Sequence, residues 1–450
     1  MVQLKLKDRV KDFPKRHNVS RKVSILQNKM HPPHFKKIHI PKKIHTFDSF
    51  KVTNYRYLWI AHAMFSIAFW LQQVVIGWTA YQITKSPLLT SIILGLDVLP
   101  ILIGAPFGGL ITDKFNKKRL LGLIYIYQSL LIASFGIVAL IGSIETWTIF
   151  VFVLLMGLGW AIHDPARFSL MSSVVPKEGL INAIALNSMA FSMMQIFIPA
   201  LGGLLIILIG IGPMLLTESV FLISAALVTQ FVNIPKSNEQ KELSLKKALP
   251  EIKSGFNFVS TNPVIVGFIL TTCAMVLLAM AFTNGLMPVY AADIFKVGPV
   301  GLGILLSARG AGSFLSTILL ASFGNINKPG IIGFWILTSL SLSMLAMSIN
   351  NIFLLGLIII MIISGSTMGY LNISMATVQS LTPNSLRGRV TGIFTMSFGM
   401  ISVGGLLSGI LASLFGVQTA TFIAGTLLLL FAFIGIMIFK KMRSYNTKTH

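Results

Sequence analysis

The most restrictive feature of this sequence is a succession of long apolar stretches separated by short polar breaks. The 450-residue chain is 54% hydrophobic and 11% charged, with a mean hydropathy of +0.81, and is too apolar for an ordinary soluble protein. Because lipid cannot hydrogen-bond to backbone groups, each stretch must cross a membrane as a helix of about 20 residues. We therefore predict an all-α membrane protein with twelve transmembrane helices near residues 55–83, 87–111, 120–142, 147–175, 180–210, 213–234, 264–292, 298–322, 330–349, 352–380, 385–414 and 418–440.

The formal net charge of +23 does not indicate nucleic-acid binding, because the basic residues lie in loops and tails between the apolar spans. The predicted external loops contain only Lys85 and Lys296 as basic residues, whereas the internal loops carry the rest. The positive-inside rule then places both termini in the cytoplasm. We expect a multi-pass protein of the plasma membrane, in contact with the lipid bilayer and with no nucleic-acid partner.

Residues 1–50 form a predicted basic, disordered cytoplasmic tail, since they contain 13 Lys or Arg against three Asp. Attraction to anionic lipid headgroups is one interpretation and a simple topology anchor is the other. A metal site from the tail histidines is a further, less favoured alternative, and its members would be His31, His34, His39 and His45.

A polar linker at 235–263 divides the membrane region into six-helix bundles at 51–234 and 264–440, with a second cytoplasmic tail at 441–450. Apolar and basic residues alternate at helical spacing within the linker, which predicts a helix on the inner membrane surface, although Pro250 weakens it.

The two bundles also echo each other as an internal repeat. A shift of 207 residues aligns Gly202 with Gly409, and a shift of 212 aligns Pro87 with Pro299 and places Asp97 opposite Arg309. Two bundles with a substrate cavity between them are the simplest architecture for such a chain.

The sharpest local motif lies at the inner end of the second span and reads Gly108-Gly109-Leu110-Ile111-Thr112-Asp113-Lys114-Phe115-Asn116-Lys117-Lys118-Arg119. It resembles the signature of the major facilitator superfamily between spans two and three. The resemblance implies a twelve-helix transporter fold in which Asp113, Lys117, Lys118 and Arg119 act in coupling or gating. Asparagine stands where the family has glycine at 116, and asparagine tolerates a left-handed turn.

On the fifth span, Pro199, Gly202 and Gly203 resemble the antiporter motif of drug exporters, with Ile198 in place of the usual glycine. A structural kink without a coupling role is the alternative. Further similarity to the exporters of enterobactin and macrolides comes from Asp164-Pro165-Ala166-Arg167, Val175-Pro176-Lys177-Glu178 and Leu386-Arg387-Gly388-Arg389-Val390.

Ionisable residues inside a membrane are costly and therefore informative. Asp97 and Arg309 would lie at similar depth on spans that face each other in the family's architecture. We predict that Asp97 carries the coupling proton and that Arg309 is its counter-charge, because loss of the pair in one access state would favour protonation of the carboxylate. A static structural pair is the alternative.

We expect the substrate cavity to be lined from the first, sixth and seventh spans by Trp70, Gln73, Trp78, Glu218, Met280 and Asn284. For Glu218 a position in water near the outer surface is favoured over a place in the cavity. Asp164 and Arg167 are predicted to form a local structural pair. His62 and His163 are predicted to be core residues rather than proton relays.

The sequence thus predicts a secondary active transporter that exports small amphipathic, drug-like or siderophore-like compounds, coupled to protons and monomeric. A lipid or lysophospholipid flippase on the same scaffold is the alternative. No catalytic cluster, cofactor or metal site is expected in the membrane region, so an enzyme is disfavoured.

Overall fold

The computed structural model describes residues 47–100, 112, 115–176, 179–234, 245–323, 326–383 and 386–447. The predicted N-terminal tail and its histidines lie outside these residues, apart from 47–50, as do Asp113, Lys114 and the first part of the linker, residues 235–244. In the described part of the chain every regular element is helical.

The membrane helices are numbered in chain order. They are α1 (Thr53–Thr84), α2 (Pro87–Leu96), α3 (Lys117–Leu140), α4 (Thr146–Val174), α5 (Leu180–Ile209), α6 (Ile211–Gln230), α7 (Pro263–Ile294), α8 (Gly298–Phe323), α9 (Pro329–Ser348), α10 (Phe353–Leu381), α11 (Arg387–Phe415) and α12 (Val417–Ile438). Eleven of these described helices are long and apolar enough to cross a membrane, and the short apolar α2 begins the remaining predicted span. The predicted all-α fold with twelve membrane helices is confirmed.

Several helices begin where the sequence chemistry requires it. Ser86 accepts a hydrogen bond from the Leu89 amide ahead of Pro87, and Asn262 caps α7 in the same way ahead of Pro263. Asn116 caps α3 by accepting from the Arg119 amide at 3.1 Å, with a φ of −61°. Asparagine thus acts as a helix cap at this position and does not adopt the left-handed turn that it would tolerate.

The linker contains a helix at Leu245–Thr261, which passes through Pro250. Its second half packs against α11, where Arg389 donates a hydrogen bond to the Ser254 hydroxyl at 2.9 Å. A Cβ atom on Gly255 would lie 3.0 Å from the Cβ of Arg389, so the two helices are in close contact. The position of this helix on the inner membrane surface stays a prediction.

Two helix pairs join the first six membrane helices to the second six. In the α5–α8 pair, a Cβ atom on Gly203 would lie 2.3 Å from the carbonyl oxygen of Pro299. In the α2–α11 pair, a Cβ atom on Gly409 would lie 2.9 Å from the Cα of Leu88. Helix backbones approach this closely only where one partner lacks a side chain.

These contacts refine the predicted repeat. Gly203 faces Pro299 and Val300, while Gly409 faces Leu88, and Leu88 aligns with Val300 at a shift of 212. The repeat therefore pairs Gly203 with Gly409, at a shift of 206, and the predicted pairing of Gly202 with Gly409 is wrong by one residue.

The helix ends that follow agree with the corrected register. Gly210 ends α5 with a φ of 81° and Gly416 ends α11 with a φ of 85°, and these two glycines are also 206 residues apart.

Candidate functional site: a central cavity between the two halves

A cavity of about 760 Å³ lies between the two halves of the described bundle. This volume suits a ligand of drug size. Its walls come from both halves, and the ionisable side chains that line it are His62, Asp97, His163, Asp164, Arg167 and Arg309.

The interface contacts close one end of this cavity. Along α5 and α8, Gly203 faces Pro299, Pro199 faces Gly303, and Gln195 faces Gly310, so the helices run together from the start of α8 to its middle. Beyond Gln195 and Gly310, the two helices line the cavity instead.

The α2–α11 pair follows the same pattern. Close contacts join Leu88 to Gly409 and Ser91 to Gly405, and the Ser402 hydroxyl donates to the Gly95 carbonyl at 2.8 Å. Asp97, the next polar residue along α2, lines the cavity. The cavity is therefore shut at the end where α2 and α8 begin and extends towards the other end.

Of the residues predicted to line the cavity, Trp70, Gln73, Met280 and Asn284 do so, whereas Trp78 and Glu218 do not. The prediction is wrong for these two because they lie on other faces of α1 and α6. Trp78 packs against the hydrophobic core. The Glu218 side chain has no exposed surface, so its favoured position in water is also wrong.

Asp97 lies at a break in the second helix rather than within a continuous span. The helix stops at Leu96, and Asp97 and Val98 form a turn whose backbone is packed against Gly157 of α4, where a Cβ atom would lie 2.5 Å from the Asp97 carbonyl oxygen. Gln73 and Trp160 lie beside the carboxylate, and its Oδ1 atom is buried without a hydrogen-bond partner. Among the residues that the structure describes, no cation forms an ion pair with this carboxylate.

Arg309 faces the same cavity from the middle of α8. Its guanidinium donates a hydrogen bond to the Oδ1 atom of Asn284 on α7. Among the described residues no carboxylate lies within 4 Å of it, so the predicted direct pair with Asp97 is absent in this conformation. Asp97 and Arg309 thus line the same cavity without compensating each other directly.

The sequence did not indicate that Asp164 and Arg167 border the cavity. Arg167 and Asp164 form the predicted local pair, with an N–O distance of 3.1 Å, and Nδ1 of His163 lies 3.2 Å from the same carboxylate oxygen. The Asp164 side chain is 62% exposed, towards the cavity it lines. Helical spacing predicted the pair, but only the packing of α4 shows that this face borders the cavity.

His62 and His163 are buried, as expected, yet both contribute to the cavity wall. The ring of Phe65 stacks on His163 with a centroid separation of 3.7 Å, and the Tyr125 hydroxyl is 3.4 Å from its Nε2 atom. Their role as proton relays or core residues stays open to experiment.

The first half of the bundle also supplies an aromatic wall. Phe69 packs edge-on against Trp160 with a centroid distance of 4.7 Å, and Phe191 lies 5.2 Å from Trp70, whose indole N–H donates to the Phe191 carbonyl. All four rings line the cavity. Such a surface binds apolar or planar groups.

The seventh helix contains two wide π turns, at Val276–Met280 and Tyr290–Ile294. Turns of this kind are frequent at functional sites because they change which face of a helix points inward. Met280, the last residue of the first turn, and Asn284, which follows that turn, both line the cavity. No sequence signal indicated these turns.

The three residues of the antiporter-like motif make different contacts. Gly203 contacts α8, as described above, whereas Gly202 packs within its own half against Leu71 and Met214. Pro199 has no N–H to donate, so the Gln195 carbonyl four residues earlier lacks its helical partner, and this oxygen faces Gly310.

The basic cluster at the start of α3 contacts its own half of the bundle. Lys117 donates to the Ser169 carbonyl of α4 at 3.4 Å, and Lys118 donates to the Gln230 carbonyl of α6 at 2.5 Å. The backbone amide of Arg119 is bound by Asn116. Asp113 lies outside the described residues, so the gating role of this motif stays a prediction.

A further contact at the closed end was not predicted. The Tyr81 hydroxyl of α1 donates a hydrogen bond to the carboxylate of Asp293 on α7. It joins the two halves next to the close contacts of α5 and α8.

Comparison with known proteins agrees with this architecture. Residues 44–449 match the family described as transmembrane secretion effector, of the major facilitator type. The chain belongs to this family of the major facilitator superfamily. It is therefore a multi-pass membrane transporter, and the predicted resemblance is confirmed.

Curated relatives extend over most of the transporter. This chain is 23% identical over 403 residues to macrolide efflux protein A of Streptococcus pyogenes, and the match covers 87% of this chain and 97% of that protein. It is 26% identical over 400 residues to the uncharacterised MFS-type transporter YfiS of Bacillus subtilis, covering 86% of this chain and 94% of the relative.

A solved structure shares the fold of the transporter. The bacterial homologue of the human lysosomal transporter Spinster, in an inward-facing and unoccupied conformation, superimposes with a TM-score of 0.67 at 15% identity. The match covers 88% of this chain and 99% of that one.

Proposed function

We propose that this transporter exports small amphipathic compounds in exchange for protons by alternating access. The observation that carries the proposal is a central cavity, shut at one end by close helix contacts, in which the Asp97 carboxylate lies beside an aromatic wall and has no cationic partner among the described residues. The similarity to macrolide efflux protein A supports the direction of transport.

Alternating access requires the closed end to open. The contacts of Gly203 with Pro299 and of Gly409 with Leu88 involve little side-chain interdigitation, so the two halves can separate there without repacking a core. Opening that end would deliver the cavity contents to the opposite side of the membrane.

Asp97 is the proposed proton carrier. A buried carboxylate without a cationic partner is expensive in its ionised form, and protonation removes that cost. Exposure of Asp97 to water in one conformation and its enclosure in the other would make protonation depend on the access state. The pair with Arg309 would form only in a conformation other than this one.

We further propose that both termini face the cytoplasm, which makes the present conformation inward-facing. The distribution of Lys85 and Lys296 on one side and of the remaining loop lysines on the other supports this orientation. In a Cys273→Ser background, an impermeant maleimide should label Lys296→Cys in intact cells and label Lys253→Cys only after permeabilisation. The reverse labelling would overturn the orientation.

Transport is tested by efflux of a fluorescent amphipathic compound from energised cells, with and without a protonophore. We expect Asp97→Asn to lower the protonophore-sensitive rate at least tenfold, and Asp113→Asn to lower it as well. Glu145→Gln is the matched control, because Glu145 is exposed and hydrogen-bonds to Trp147 at the membrane edge. Full proton-driven efflux by Asp97→Asn would reject this residue as the carrier.

A further inference from the structure

Some charged side chains of the cavity wall have a partner of opposite charge, and others do not. On the α4 side, Asp164 is engaged by Arg167 at 3.1 Å and lies 3.2 Å from His163. On the α8 side, Arg309 has only the neutral amide oxygen of Asn284 as a partner among the described residues. The guanidinium of Arg309 is thus the cation of the described cavity wall that has no carboxylate partner.

The unused hydrogen-bonding capacity of Arg309 faces open space. A guanidinium has five N–H donors, and here one donor on Nη1 is used in the hydrogen bond to Asn284. None of the Arg309 nitrogens is among the buried atoms without a partner, and the residue is only partly buried. The remaining donors are therefore accessible from the cavity.

Neighbouring groups complete a polar corner. Ser313 lies one helical turn after Arg309 on α8, and Gln195 packs against Gly310 from α5. Both line the cavity with Asn284, whose amide N–H₂ group is not engaged by Arg309. The corner offers hydrogen-bond donors around a fixed positive charge.

An arginine in the middle of a membrane helix is costly, so a compensating partner is expected during function. The planar guanidinium matches the two oxygens of a carboxylate or a phosphate. The aromatic wall of Phe69, Trp70 and Trp160 belongs to the other half of the bundle, across the same cavity. One ligand can therefore reach both surfaces only if it is amphipathic.

We propose that the exported substrate carries an oxyanion, and that Arg309 and Asn284 bind this group while the aromatic wall holds the apolar part. This inference rests on the proposed export function and names its substrate class. An amphipathic organic carboxylate and the phosphate of a single-chain lipid share this chemistry, and the experiment separates them.

Binding is measured with purified transporter in nanodiscs of zwitterionic lipid, through energy transfer from the six tryptophans of the chain to a dansyl group on the probe. The probes are N-dansyl-leucine, its uncharged methyl ester and dansyl-cadaverine as a cation. Lysophosphatidic acid has no dansyl group, and its binding is measured through displacement of N-dansyl-leucine. We expect the carboxylate to bind at least tenfold more tightly than the ester or the cation. Tighter binding of lysophosphatidic acid than of N-dansyl-leucine would identify the oxyanion as a lipid phosphate.

Variants assign the preference to the polar corner. Arg309→Gln should remove the preference for the carboxylate over the ester while leaving ester binding unchanged, which also shows that the variant is folded. Arg309→Lys should retain part of it, because the charge remains without the bidentate geometry. Arg443→Gln is the matched control, since Arg443 is exposed on the short C-terminal helix Lys440–Ser444.

Asn284→Asp provides an independent test at constant side-chain size. The new carboxylate would take the position that already contacts Arg309 and neutralise it, so the preference for oxyanions should be lost. Equal binding of the ester and the carboxylate to the wild type, or an unchanged preference in Arg309→Gln and Asn284→Asp, would overturn the proposal. Either result leaves proton-driven efflux of cations or neutral compounds intact, whereas failure of export itself appears in the efflux assay.

Discussion

A Cβ atom on Gly303 would lie 2.2 Å from the carbonyl oxygen of Pro199, so the backbones of α8 and α5 touch at this point. The contact lies between the two halves of the transporter, at the closed end of the cavity. Any side chain at 303 must push these helices apart, because the atom it meets is backbone and cannot move alone.

We expect Gly303→Val to favour conformations in which this end is open, shifting the equilibrium at least tenfold, or about 1.4 kcal/mol. The shift is measured as the distance between spin labels at Gln82→Cys and Lys296→Cys in a Cys273→Ser background. Gly392→Val is the control, since nothing lies within 4 Å of a Cβ atom there. An unchanged distance distribution in Gly303→Val would show that the contact does not limit opening.

The hydrogen bond between Tyr81 and Asp293 should stabilise the same closed end. We expect Tyr81→Phe and Asp293→Ala each to shift the equilibrium towards opening by about fivefold, which corresponds to about 1 kcal/mol, the net contribution of a typical hydrogen bond. The double variant should add little to either single variant, because both remove one interaction. The same spin-label distances measure all three, and fully additive shifts would indicate separate effects.

Gly157 allows α4 to approach the turn that holds Asp97. In Gly157→Ala the new methyl group would meet the Asp97 carbonyl at 2.5 Å and the Pro100 ring at 2.8 Å, so the turn must move. We expect the transport rate of Gly157→Ala to fall at least tenfold although no polar group is removed. The melting temperature should stay close to that of the wild type. Gly392→Ala should transport normally, and normal transport by Gly157→Ala as well would mean that the position of Asp97 tolerates displacement.

Glu218 is fully buried in α6 outside the cavity, and neither of its oxygens has a hydrogen-bond partner among the described residues. An ionised carboxylate in such a place is uncompensated and costs several kcal/mol. We therefore expect Glu218→Gln to match or exceed the wild type in thermal stability, and Glu218→Lys to be strongly destabilised.

A pH series tests the same point. The melting temperature of the wild type in detergent should fall as the pH rises above the ordinary titration range of a glutamate. The unfolded chain then releases the Glu218 proton to water freely, whereas the folded chain keeps this proton or loses it at a cost. Glu218→Gln should lack this part of the dependence, and Glu145→Gln should keep it. A Glu218→Gln variant that is clearly less stable than the wild type at pH 6 would show that the carboxyl group has a structural partner.

Much of the fold was predictable because a segment inserts into a membrane when it is long and apolar enough, and both properties can be seen in the sequence. Long apolar runs fix where helices lie, and local chemistry fixes several of their ends, as Ser86 and Pro87 illustrate at α2. The break at Asp97 and the π turns of α7 were not predictable, since they depend on the packing of neighbouring helices.

The candidate site was only partly predictable for a related reason. Asp97, Arg309 and Asn284 stood out because polar groups are rare within spans, and all three line the cavity. Glu218 carried the same signal and lies elsewhere, because rarity does not reveal which face of a helix points inward. Conversely, Asp164 and Arg167 were correctly predicted to pair, yet their place at the cavity depends on how α4 packs.

The sequence by itself determined the solvent of this protein, the number of its membrane helices and its superfamily, because these follow from hydrophobic length and from local motifs. The tertiary structure alone decided which of the rare ionisable groups share one cavity, which end of that cavity is closed, and that Asp97 and Arg309 do not pair in this conformation. These properties arise from contacts between residues 100 or more positions apart, such as Pro199 with Gly303, and no local pattern encodes the distance between such residues.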